Sequence, residues 1–117
     1  MSEPLLFDAA KLAELRELEA MTETPLVRGL LTTYLDSLDS YVTKVKTAVA
    51  ASDAAAQKLA AHSLKSSSAQ VGAMRLSSVC FALEHATFDT ATALLPDLDR
   101  EVAAIRPLLS AERDAAS

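Results

Sequence analysis

The chain has 117 residues, half of them hydrophobic, and a formal net charge of −5. That length suits one domain with a real core. The acidic balance, with Lys and Arg scattered and no basic run, argues against a nucleic-acid partner, and a single cysteine, Cys80, excludes an internal disulfide and a cysteine-rich metal site.

Alanine and leucine are abundant, and Gly29 and Gly72 are the only glycines. This composition favours helices throughout. The N-terminus lacks the basic region and apolar run of a signal peptide. No stretch approaches the roughly 18–20 apolar residues needed to cross a bilayer. A cytoplasmic protein with no membrane partner is the expectation.

The first helix is predicted over about 8–20, with Asp8 capping free backbone N–H groups. Phe7 before the cap and Leu12 after it form a candidate hydrophobic staple. Leu12, Leu15, Leu18 and Met21 then recur at helical spacing. Thr24-Pro25 reads as a hydroxyl cap followed by proline in the first turn of a second helix, about 25–51. Along it Val27, Leu31, Tyr34, Leu38, Tyr41, Val45 and Ala48 alternate steps of four and three, a seam for packing against other helices.

Ser52-Asp53 supplies the next break and cap, opening a third helix over about 53–70. Gln57, Ala60, Ala61, Leu64, Ser68 and Val71 share one stripe of it at about 100° per residue. His62 lies nearly opposite that stripe, among Lys58, Lys65, Ser66 and Ala69. An imidazole is thus presented to solvent beside cations with little bulk around it.

Gly72 closes this helix in the left-handed conformation that glycine adopts cheaply. A fourth helix, about 73–86, buries Leu76, Val79, Cys80 and Leu83. Asp89 is a candidate cap for a fifth, about 89–111, whose stripe is Leu94, Leu98, Val102, Ile105 and Leu109. Pro96 and Pro107 each remove a backbone donor, so this helix should bend or begin late. The tail after about Glu112 should fray. With no strand pattern, repeat or long linker, residues 1–117 read as a single all-α domain. The predicted architecture is an antiparallel up-down-up-down four-helix bundle, with the additional short N-terminal helix covering one end.

Residues 60–86 resemble the histidine-containing phosphotransfer (Hpt) domains of multistep phosphorelays. The resemblance rests on His62, Leu64, Lys65, Ser67, Ser68 and Gly72, and continues through Ala73, Leu76, Cys80, Leu83 and Glu84. One position departs: Ser66 follows the lysine where the family commonly has glycine. Serine is only slightly larger, and its hydroxyl is a candidate donor to a phosphoryl oxygen.

The resemblance implies that His62 is the phosphoacceptor, modified on the ring nitrogen farther from the backbone. The residues alone do not distinguish the two nitrogens. A neutral imidazole nitrogen is a nucleophile toward phosphorus. Lys65, one turn away, is placed to set positive charge near the phosphoryl oxygens, with Lys58 one turn the other way. Both are expected to be mobile and solvated, each contributing modestly and in a salt-sensitive way. Lys58, Leu59, Ser66 and Ala69 form the candidate docking surface.

No glycine-rich loop cradles ATP, and no alternating strand–helix pattern builds a receiver with its acidic magnesium site. The chain is therefore expected to be a phosphocarrier with no cofactor or ATP-dependent kinase activity of its own. The implied partners are receiver domains of response regulators and hybrid histidine kinases, which would supply the aspartate and magnesium to a monomeric carrier. The competing reading is a degenerate interaction module that binds a kinase or receiver without phosphotransfer. A bundle metalloenzyme is disfavoured, since both histidines, His62 and His85, project outward and no Glu-x-x-His pair occurs. Outside the resemblance, Phe81 reads as a residue that meets the first helix or widens the docking surface, and Cys80 as a buried apolar side chain.

Overall fold

The computed structural model describes residues 3–116. Five helices follow in order: α1 (Ala9–Thr22), α2 (Leu26–Ala50), α3 (Ala54–Gln70), α4 (Met74–His85) and α5 (Phe88–Ala115). Each of α2 to α5 packs on its chain neighbour, and α5 closes the ring against α2, with α1 lying on α2. Short connections make successive helices antiparallel. The cross-links agree: Tyr34 reaches Ser68, Gln57 reaches the carbonyl of Leu83, Arg75 reaches Glu101, and Lys46 reaches Asp99.

The regular seam of α2 packs inward. Val27, Leu31, Tyr34, Leu38, Val45 and Ala48 are buried, and Tyr41 is half-buried at its edge. Facing them are Ala61 and Leu64 of α3, Leu76, Cys80 and Leu83 of α4, and Leu98, Ile105 and Leu109 of α5. Truncating one of the fully buried leucines to alanine costs about 2–5 kcal/mol, through lost transfer energy and the cavity left behind.

Two caps are as the sequence indicates. Asp8 accepts from the Ala10 N–H at 3.0 Å, and Asp53 accepts from Ala56 N–H at 3.0 Å. Two are not. Thr24 turns its hydroxyl to the Thr22 carbonyl, and Glu19 of α1 accepts from the Val27 N–H at 3.1 Å instead. Asp89 lies inside the first turn of α5, where its charge complements the helix dipole. Thr87 occupies the cap position, and its hydroxyl bonds Thr90.

Two further expectations for α5 fail. It does not begin late, running unbroken from Phe88 to Ala115, and Pro96 and Pro107 both lie on its exposed face. Carbonyls left without a helical donor there are open to water, which lowers the cost of each missing bond. Its end does not fray at Glu112, because that end is held. Arg28 donates to the carbonyls of Arg113 and Ala116 at 3.3 and 3.2 Å, and Arg16 pairs with Glu112 at 2.8 Å.

The first helix covers one end of the bundle through its N-terminal half. Leu12 is fully buried, Phe7 and Leu15 pack against the core, but Leu18 is exposed and Met21 is 82% exposed. Spacing alone does not distinguish a stripe that meets a partner along its whole length from one that overhangs it. The entry to α1 is fastened to the turn between α3 and α4, where Asp8 N–H donates to the Gly72 carbonyl at 2.7 Å. Gly72 has φ +86°, and a Cβ there would lie 2.5 Å from the Asp8 carbonyl oxygen. That turn demands glycine twice over, for its dihedral and for its space.

Candidate functional site

The inward stripe of α3 decides where His62 points. Gln57, Ala61, Leu64, Ser68 and Val71 are all buried, and Gln57 is anchored by donating to the carbonyls of Leu83 and Ala86 at 2.8 and 3.1 Å. With that face fixed, the His62 side chain is left 57% exposed in the middle of the helix.

The imidazole is nonetheless not free. Its Nδ1 lies 3.1 Å from Glu84 Oε2, and the other oxygen, Oε1, accepts from Lys65 Nζ at 2.7 Å. Glu84 is thus a bridge from α4 to two residues on α3. An ionised carboxylate only accepts hydrogen bonds, so Nδ1 carries the proton. The lone pair of neutral His62 then resides on Nε2, on the side of the ring away from Glu84.

The carboxylate suits this role. Its side chain is only 8% exposed. Its pKa is nevertheless held below the usual carboxylate range, by the Lys65 hydrogen bond first and the His62 bond next, against the opposing effect of burial. A carboxylate that stays charged can orient the ring and stabilise positive charge developing on it.

Lys65 differs from expectation. It is not a mobile, solvated cation: its side chain is 25% exposed, bound to Glu84, with Nζ 5.5 Å from the centroid of the Phe81 ring. The methylene stem is covered while the ammonium is held at the carboxylate. Phe81 packs edge-on to His85, with centroids 4.7 Å apart, and remains exposed beside the site.

Of the other candidates, Lys58 and Ser66 are exposed, Leu59 is 69% exposed, and Ala69 is half-buried rather than on an open flank. Leu59, Ala60 and Ser63 line one wall of an open groove of about 620 Å³ between α2 and α3. Tyr41, Lys44 and Thr47 line the other. Among the described residues no group of three or more His, Cys, Asp or Glu side chains is arranged to hold a metal, and no helix is long and apolar enough to cross a membrane.

Glu84 is the partner of His62 and Lys65 that the sequence did not place. It lies 22 positions after His62 on another helix, and only the packing of α3 on α4 shows which cation it meets. Its position in the family resemblance was the one signal available.

The site is thus an exposed histidine in the middle of α3 of an all-helical bundle, bonded to a carboxylate from α4. A family model for the Hpt domain matches residues 29–115. The chain belongs to the histidine-containing phosphotransfer family. It is similar to the crystal structure of histidine-containing phosphotransfer protein B (HptB) from Pseudomonas aeruginosa PAO1, with 30% sequence identity, a TM-score of 0.79 and 97% of each chain covered. Comparison with curated proteins gives no match.

Proposed function

We propose that this protein is a phosphocarrier that takes a phosphoryl group onto His62 Nε2 from a receiver-domain aspartate and passes it to the aspartate of another receiver. The observation that carries this reading is the Nδ1–Glu84 bond on an otherwise exposed ring. It fixes the tautomer in which the outward nitrogen is the nucleophile.

In the forward step the Nε2 lone pair forms the N–P bond as the P–O bond to the aspartate breaks, and the carboxylate leaves. The ring, still protonated at Nδ1, becomes cationic, and Glu84 neutralises it. The geometry parallels the base-and-orienting-carboxylate pair of a catalytic triad. Phosphoryl transfer depends chiefly on in-line positioning and charge stabilisation. Lys65 lies one turn from His62 and supports the phosphoryl oxygens, but it must share its charge with Glu84. The receiver supplies the second aspartate and the magnesium. The carrier contributes neither a cofactor nor an ATP site.

The receiver's approach is over the face bearing Lys58 and Leu59, with the half-buried Ala69 at its edge, beside the groove between α2 and α3. Partners are receiver domains of response regulators and hybrid histidine kinases, and the carrier acts as a monomer in the cytoplasm. Contacts of this kind are modest in area and transient.

The test is transfer from a phosphorylated receiver in the presence of magnesium, run on wild type and His62→Gln. Base-stable, acid-labile label should appear on the wild type alone. Binding that survives His62→Gln with no label on either protein would instead identify an interaction module without phosphotransfer.

A further inference from the structure

Three consecutive serines follow Lys65, and the fold uses them differently. Ser68 is fully buried, its hydroxyl 2.8 Å from that of Tyr34. Ser67 turns back along the helix and donates to the Ser63 carbonyl at 3.0 Å. Ser66 is exposed, and its hydroxyl has no partner among the described residues.

Ser66 is also the one of the three placed beside the reacting ring. Residues four apart on a helix are surface neighbours, with Cβ atoms about 5–6 Å apart. A phosphoryl group on Nε2 extends outward from the ring, over the exposed helix face that Ser66 shares. The nearest cation, Lys65, is already engaged with Glu84 at 2.7 Å. Ser66 is therefore an uncommitted hydroxyl donor one turn from the ring, with the exposed Lys58 one turn the other way.

We propose that the Ser66 hydroxyl binds a phosphoryl oxygen of phospho-His62 and so makes this chain a reservoir that retains the phosphoryl group. The inference rests on His62 being the carrier residue. Hydrogen bonds to anionic oxygen are the stronger kind. In a loose, metaphosphate-like transition state the departing group carries less negative charge than the bound dianion. A donor to its oxygens stabilises the bound form more and slows loss of the group.

Phosphoramidate is the probe, used on the full-length protein with no receiver present. The Nε2–P bond forms as the P–N bond of N-protonated phosphoramidate breaks; ammonia leaves, and Nδ1 keeps its proton. Ser66→Ala, Ser66→Gly and Ser66→Thr are then compared with wild type by the half-life of phospho-His62 and by phosphorus NMR titration of the phosphoryl group. All sit at an exposed helical position, and circular dichroism checks the fold of each.

The alanine and glycine variants should lose the group about fivefold faster. Their phosphoryl pKa should rise by about half a unit, since the lost donor favoured the dianion. Threonine should behave as serine does. Equal half-lives and titrations for wild type and alanine would overturn the proposal. So would alanine tracking serine while glycine alone departs, because that result assigns the effect to bulk. Failure of the wild type to form phospho-His62 at all would overturn the carrier reading as well, and is distinguished from the other outcomes by the absence of any histidine label.

Discussion

Replacing Gly72 with alanine should damage the join between the His62 helix, the α3–α4 turn and α1. Two costs add. A side chain at φ +86° meets the left-handed penalty of about 1–2 kcal/mol. The new Cβ would also sit 2.5 Å from the Asp8 carbonyl oxygen, a backbone atom that moves only if the entry to α1 moves. Such a shift weakens the Asp8 N–H to Gly72 carbonyl bond, for about 0.5–1.5 kcal/mol more. The lower entropy of the unfolded alanine chain returns about 0.4–1 kcal/mol. The net loss is about 0.5–3 kcal/mol, and for a chain of this size that lowers Tm by roughly 2–12 °C. Gly29 is the internal control. It lies inside α2, and a Cβ there meets nothing within 4 Å. Gly29→Ala should therefore stabilise by about 0.5–1 kcal/mol. Thermal unfolding followed by circular dichroism reads both variants. A Gly72→Ala protein as stable as wild type, or two variants shifting in the same direction, would refute the reasoning.

Glu84→Ala should slow phosphotransfer about 10- to 100-fold, by analogy with loss of the carboxylate that orients a metal-bound histidine. Glu84→Gln should lose less, because its amide oxygen can still accept from Nδ1; equal losses in a transfer assay would count against the orienting role. A carboxyl with a depressed pKa contributes stability above its unfolded pKa and loses it as pH falls through the folded value. The stability gap between wild type and Glu84→Gln should therefore be full at neutral pH and close only below the ordinary value of 4.5, which denaturant titrations across pH can check. Burial pushes the Cys80 thiol up to about 12. Thiol reagents at pH 8 should accordingly label it at the rate of opening of the fold, and immediate labelling of native protein would contradict its buried position.

The helical bundle was legible because its strongest signals are local. The Asp8 and Asp53 caps and the left-handed dihedral of Gly72 are set by neighbours a few residues away, and the seam of α2 is a spacing within one helix. Expectations failed where a distant group intervened. Glu19 displaced Thr24 as the donor's partner at the start of α2, Arg28 and Arg16 held the end of α5 that should have frayed, and Met21 overhangs the core its spacing suggested it would join. The site divides in the same way. The exposure of His62 follows from the period of α3 alone. The tautomer of its ring, and the capture of a lysine expected to be solvated, depend on Glu84 arriving from α4.

Phosphotransfer by this route requires Nε2 of His62 to be the nucleophile. The most direct measurement is long-range proton–nitrogen NMR of the nitrogen-15-labelled protein, before and after phosphorylation by a receiver. Before phosphorylation His62 should show a protonated Nδ1 and an unprotonated Nε2, and afterwards the phosphorus should be coupled to Nε2. A proton on Nε2 in the resting protein, or phosphorus on Nδ1 or on no histidine, would contradict it.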